Sequence, residues 1–525
     1  MFQKFRLAKY TLLLAMSATS FAIAITTTLA IKSPAISAER IDFNYSLLGF
    51  KIQVEDLEAF AKHGKISSSL NFYLKRISPK QTERLQKLLR QTYNVNQVLV
   101  YRYSRTDSGV KILQRIGEII KLPGDINGFY GLRAAVVQSA GSAKGVNLVD
   151  FLKRFPTDIK LDLAELLKLV KQVSNAEDDT QEFIASLDQG KTSGENNIKN
   201  IPDFSKPGQF QVTKQTLDFY DPKRDRNLVT DLYLPAVNSK STPVIVVSNG
   251  LGAKRARFQD LAGHLASYGF AVVIPDHPGS DRQRQLDFVR GLYKENFDAT
   301  EYIDRPLDIS YILDQLAKIN PKQLNNSLNL EQVGIFGYSI GGTTALSLAG
   351  AEIDFPQLEH DCAQQLDLLN ISVLYQCRAL DMPRKKQSLK DDRIKAAYMF
   401  VPFGNSLFNK QKLKEISIPM MWQVVDRDFL TSLLNEQVPL FKSLENSSRH
   451  LVISERLPHS NVTLANEQQH SQAKAFNVAK TYQNILSLVF FQNYIAQDRK
   501  YSPYLSAEYI KAIAQKPYSL HILAK

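Results

Sequence analysis

The residues Val333-Gly334-Ile335-Phe336-Gly337-Tyr338-Ser339-Ile340-Gly341-Gly342 carry the fold assignment. A short apolar run enters a G-x-S-x-G sequence, and the residues that follow, TTALSLA (343–349), suit a helix. A serine at such a strand–turn–helix junction sits on a strained turn where side chains at the flanking positions would clash, which accounts for the glycines. Its hydroxyl then projects above the sheet at the positive end of a helix. Ser339 is therefore the candidate nucleophile. The competing reading is an ordinary glycine-rich strand–helix turn.

Around this stretch, strands alternate with helices. Residues 209–219 and 228–234 alternate apolar and polar, as antiparallel strands do. PVIVV (243–247), FAVVIP (270–275), QVGIF (332–336), 394–401 and 419–425 are short apolar runs expected of strands buried on both faces. Helical patterns at 258–268, 306–317 and 339–348 lie between them. The order argues an α/β fold with a mostly parallel central sheet flanked by helices. Residues 351–392 interrupt the alternation and read as an insertion.

A serine nucleophile needs a base, and the base needs an acid to orient it. In sheets that present serine this way, the acid and then the histidine follow in chain order. Of the eight histidines, His63, His264 and His277 precede Ser339 and drop out. His360 falls in the insertion, His450 opens an apolar strand pattern, His470 lies in a polar helical stretch, and His521 is in the tail. His459 follows strand 451–454 by a short loop and is the candidate base. The strand 418–425 ends at Asp426-Arg427-Asp428, so two carboxylates compete. Asp428 is preferred; Asp426 is the alternative, the losing carboxylate being a solvated partner of Arg427. Two backbone donors for an oxyanion are expected from Ile340 and from Leu251, in the glycine-rich loop Ser248-Asn249-Gly250-Leu251-Gly252.

Composition narrows the remaining classes. With 44% hydrophobic and 22% charged residues the chain is not intrinsically disordered. Two cysteines exclude a disulfide-framework scaffold and a Cys-rich zinc or iron–sulfur protein. One long apolar stretch excludes a multi-span transporter. That stretch (11–31) follows Lys4, Arg6 and Lys9 and precedes small residues at 33–38, so residues 1–38 read as an export signal for periplasm or secretion, or as an uncleaved anchor. Removing them deletes four basic residues and no acidic ones, taking the net charge from +13 to +9. That surplus suits either a soluble basic protein or contact with an anionic membrane surface. No nucleic-acid module is visible. Residues 39–174 read as a mainly helical domain, with periodic stretches at 54–63, 79–93 and 161–173 and Pro79 in a first turn. Residues 175–207 are polar and read as a linker, 208–500 as the catalytic domain, and 501–525 as a C-terminal tail.

Taken in order, DPKRDRNLVTDLYLP (221–235), PVIVVSNGLG (243–252), DHPGSD (276–281), RPLDISYILDQL (305–316), GYSIGG (337–342), DFLT (428–431) and PHS (458–460) resemble the α/β-hydrolase superfamily. Within it they are similar to the platelet-activating-factor acetylhydrolase-like and dienelactone-hydrolase-like branch, over about 216–490. Residues 38–61 resemble a domain of unknown function that precedes such hydrolases in exported cyanobacterial proteins. Two departures stand out: relatives commonly carry His-Gly where this chain has Asn249-Gly250, and the acid is shifted by one residue against the family spacing. The resemblance implies a serine carboxylic-ester hydrolase acting on lipid or short-acyl esters, as in lipid catabolism, without metal or organic cofactor. Other triad chemistry (dienelactone, polyester, thioester or peptide bonds) and a catalytically silent, envelope-bound interaction protein are the alternatives. Insertions at 351–392 in such hydrolases often cover the pocket. Its Leu368, Leu369, Ile371, Val373, Leu374 and Tyr375 suit either a surface that meets an acyl chain or a membrane, or packing onto the core. Cys362 and Cys377 both fall in this insertion, and in an exported chain they are expected to form one disulfide; two buried free thiols are the alternative.

Overall fold

The computed structural model describes residues 37–524 except 46, 144, 189–201, 238–240, 385–386, 446–447, 458 and 460–469. The expected signal or anchor, residues 1–36 of it, lies outside the described residues. Among the described residues no helix is long and apolar enough to cross a membrane. The chain divides into two compact units, one of residues up to 93 with 117–163 and the other of 94–116 with 164 onward. Residues 94–116 thus group with the second unit rather than with the helical domain in which the sequence reading put them.

The first unit is not purely helical. Strands β1 (Arg40–Tyr45) and β2 (Leu48–Gln53) form a hairpin. Of the later strands β3 (Thr92–Tyr93), β4 (Ile120–Lys121), β5 (Val146–Asn147) and β6 (Ile159–Leu161), β4 and β6 join it in the order β2-β1-β6-β4. The signal is period-two apolar spacing: Ile41, Phe43 and Tyr45 face Ile52, Phe50 and Leu48, and the Phe43 and Phe50 rings stack at 5.6 Å. Helices Val54–His63 and Pro79–Arg90 follow the 3.6-residue pattern, the latter opened by a Ser78–Gln81 capping box with Pro79 in its first turn.

The second unit holds a nine-stranded sheet built of β7 (Val212–Asp221), β8 (Arg226–Pro235), β9 (Thr242–Ser248), β10 (Ala271–Pro275), β11 (Leu328–Tyr338), β12 (Ile394–Phe400), β13 (Met420–Val425), β14 (Arg449–Ser454) and β15 (Leu520–Ala524). Its order is β15-β14-β13-β12-β11-β9-β10-β8-β7. Strands β9 to β14 pair in parallel, and β7, β8 and β15 are antiparallel. The central strands are buried on both faces, which is why they read as continuous apolar runs. The tail at 501–525 supplies an edge strand, with Leu520 buried, and a short helix Ala507–Ala512 burying Tyr509 and Ile510. The expected linker is helical as far as Asp188, in the helix Leu163–Asp188. Ile184 is buried in the core with Phe183 and Leu187 against it, an apolar stripe hidden among Asp, Glu, Ser and Asn.

The insertion folds as short helices Phe355–Cys362 and Ser372–Cys377 joined by a Cys362–Cys377 disulfide. None of its six apolar residues is exposed; Leu369 and Leu374 are buried and pack the insertion down, and the other four are partly buried. Two excluded histidines are core residues. His264 and His450 are buried, and burial lowers each ring to about 4. The unfolded chain titrates its histidines near 6.5, so between about pH 6.5 and 4 it binds more protons than the folded one. Stability is full above that window and falls as pH drops through it. The denaturant midpoint should fall between about pH 7.5 and pH 5, and His264→Gln should flatten that slope. Mass spectrometry of unreduced protein should find no free thiol. Cys362→Ala with Cys377→Ala should lower the urea unfolding free energy by about 3 kcal/mol, the chain entropy of a loop this short.

Candidate active site

Ser339 leaves β11 and caps the helix Ile340–Ala349 with φ 54° and ψ −120°, a conformation costly for any residue but glycine. Close packing holds it there. A Cβ on Gly337 would lie 2.3 Å from the Gly341 carbonyl oxygen, and one on Gly341 would lie 2.0 Å from that of Ser248. The Ser339 amide donates to the Phe400 carbonyl of β12 at 3.0 Å, and the Ser339 carbonyl accepts from Gly342 at 2.8 Å. Strand, glycines and helix thus press the serine into a tight outward turn.

The two carboxylates beyond β13 have different partners. Asp428 Oδ2 accepts from His459 Nδ1 at 2.6 Å and from the Thr431 hydroxyl at 2.6 Å. Asp428 Oδ1 accepts from the Leu430 and Thr431 amides at 2.8 and 3.0 Å. Burial works to raise the Asp428 carboxyl, but the His459 ring and the Thr431 donors outweigh it, and the group lies below the ordinary aspartate value. An ionised Asp428 only accepts, so Nδ1 carries the His459 proton and Nε2 is left to accept one. Asp426 instead accepts from the Arg456 amide at 2.7 Å, clamping a turn in which Arg456 has φ 61°. It is buried, and burial raises its carboxyl. The losing aspartate does pair with Arg427, at 3.5 Å, but the expectation that it is solvated is corrected: Asp426 is a buried turn anchor.

Ser339 and His459 line one cavity of about 910 Å³, with Leu251, Tyr375, Phe403 and Leu430 among its apolar walls. Tyr375 and Ser372 come from the insertion, which therefore forms part of the wall. Leu99 comes from far upstream, and the Tyr103 hydroxyl in the same segment lies 3.0 Å from that of Tyr375. Tyr338 donates to the His459 carbonyl at 3.3 Å. Ile340 opens its helix, so no helix carbonyl can reach its amide. The loop after β9 lies against the serine: a Cβ on Gly250 would be 3.6 Å from Ser339 Cβ. The structure thus brings Ser339, His459, Leu251 and the Asp428–His459 pair to one place. His360 is on the insertion helix Phe355–Cys362, and His521 is on β15 beside Glu455 at 3.4 Å.

Chain order alone removed His277, and the structure gives it other work. His277 Nδ1 lies 3.1 Å from Asp308 Oδ2, and Nε2 lies 3.1 Å from Ser248 Oγ. All three are buried, and none of them is among the residues that line the cavity of Ser339. Asp308 accepts from Arg224 at 2.8 Å and from Arg226 at 2.7 and 2.8 Å. DHPGSD at 276–281 was one of three signals for this cluster, with 221–235 supplying Arg224 and Arg226 and 305–316 supplying Asp308.

Two family models match the chain. Residues 37–162 match an alpha/beta hydrolase of unknown function. Residues 230–356 match the dienelactone hydrolase family, a span that includes Ser339 and ends before Asp428 and His459. No curated protein matches the chain. Both descriptions agree with a parallel sheet that presents a serine on a strand–helix turn, and on that agreement the chain belongs to the α/β-hydrolase superfamily and is a hydrolase.

Proposed function

We propose that the chain is a serine carboxylic-ester hydrolase acting on lipid or short-acyl esters. The observation that carries this reading is the 2.6 Å contact between Asp428 and His459 at the cavity that Ser339 lines. His459 Nε2 takes the Ser339 proton as Oγ attacks the ester carbonyl. The oxyanion is held by the Leu251 and Ile340 amides. His459 then hands the proton to the departing alkoxide, and water, deprotonated by the same ring, releases the acid from Ser339. The apolar walls suit an acyl chain, and Arg257 and Arg282 among the lining residues suit the phosphate of a phospholipid such as a 1-alkyl-2-acetylglycerophosphocholine. The dienelactone hydrolase match favours a second reading, a lactone or other small ester. The disulfide supports export to an oxidising compartment.

A panel of short-acyl esters, phospholipids, lactones, thioesters and peptides, run beside labelling by a fluorophosphonate, tests the reading. No labelling at Ser339 would instead favour a silent interaction protein. Ser339→Ala should lower kcat by several orders of magnitude, on the order of 10⁶. More than a tenth of wild-type activity in that variant refutes the nucleophile. Asp428→Asn should lower kcat by about 10⁴-fold, because it leaves His459 in the wrong tautomer. Asp426→Asn should act mainly on thermal stability, and the reverse ranking of the two rates transfers the role to Asp426.

A further inference from the structure

Arg305 is 1% exposed and lies in the helix Glu301–Gln323, away from the cavity walls. Its Nη1 donates to the Asn249 carbonyl at 2.5 Å, and its Nε donates to Ser280 Oγ at 2.8 Å. The Ser280 carbonyl in turn accepts from the Gly252 amide at 2.8 Å. The loop after β9 is therefore pinned at residues 249 and 252, and the two residues between the pins are Gly250 and Leu251. The Asn249 Oδ1 adds no anchor of its own: it is buried without a partner among the described residues. The guanidinium is held from behind by Glu301 Oε2 at 3.4 Å, and that carboxylate also accepts from Ser280 Oγ. Arg226 holds the other Glu301 oxygen at 2.9 Å.

We propose that Arg305 is a positioning residue for the oxyanion site: through Asn249 and Ser280 it fixes the direction of the Leu251 amide. This rests on the ester-hydrolase reading. A planar fork can serve a carbonyl and a hydroxyl at once with fixed geometry, whereas an ammonium on a flexible stem cannot. Charge alone is therefore not sufficient at this position.

Arg305→Lys tests it, with kcat and KM measured on a p-nitrophenyl short-acyl ester and folding followed by thermal denaturation. Loss of one aligned oxyanion donor should lower kcat by about 10²-fold. KM should stay within about threefold, because the loop meets the developing oxyanion more than the ground-state ester. A kcat within about threefold of wild type overturns the proposal, as does a loss carried by KM. If Arg305→Lys does not fold, Ser280→Ala keeps the charges and removes the hydroxyl that links Arg305 Nε to the residue whose carbonyl holds Gly252. It should lower kcat by about tenfold with KM unchanged, and an unchanged kcat overturns the proposal. Wild-type protein inert to esters and to fluorophosphonate overturns the ester-hydrolase reading and this inference with it. An active wild type beside an indifferent Arg305→Lys overturns this inference alone.

Discussion

A backbone forced to φ 54° at Ser339 is the constraint on which the rest of this molecule depends. Such a conformation costs on the order of 1–3 kcal/mol and persists only where the surroundings over-determine it. Here they do. Gly337 and Gly341 have no room for a Cβ, β12 holds the serine amide, and the helix Ile340–Ala349 is packed on every side. The parallel sheet is the frame that makes this possible. Six parallel strands end on one side, and the turns after β9, β11, β13 and the loop beyond β14 bring their residues together there. Central strands buried on both faces are too closely packed to relax, so the strain stays where the serine is.

Behind the loop after β9 lies an unusual concentration of buried charge. Arg226, Glu301, Arg305 and Asp308 are all nearly or wholly shielded, with neutral His277 among them. Burial dominates the downward shift of that imidazole, and the nearby arginines add to it. Buried ion pairs repay their desolvation only when geometry and further hydrogen bonds satisfy each group. In this cluster the satisfaction extends outward through Asn249, Ser248 and Ser280 to the loop beside Ser339. Such a network is poor as a source of stability and well suited to holding a loop in one arrangement.

What the sequence made legible follows from how local each constraint is. The Ser339 turn was readable because its sterics demand glycine within two residues on either side. The parallel strands were readable because burial on both faces leaves them largely apolar, as at 244–247 and in Ala271–Pro275. Asp428 and Asp426 were separable only in part: they differ by which neighbouring amides each faces, and that is a property of the turn after β13. The hairpin of β1 and β2 was hidden because its period-two pattern runs straight into strong helical patterns. Strand β15 was hidden because five residues at an edge carry little signal. The motifs that supply Arg226, His277, Arg305 and Asp308 were visible, but their meeting in one charge cluster was not, since Arg226 and Glu301 are 75 residues apart and meet only in the folded chain.

The grouping of residues 94–116 with the later part of the chain bears on how the molecule can be divided. A fragment starting at about residue 202 looks like a self-sufficient catalytic domain, since it holds all nine strands of the large sheet and every residue of the Ser–His–Asp set. It would nevertheless lack Leu99 from the cavity wall and the Tyr103 hydroxyl that meets Tyr375 across 272 residues of sequence. The insertion would lose its tether and the cavity one of its sides. The second unit is thus drawn from two separate stretches of the chain, and no single cut parts it cleanly from the first.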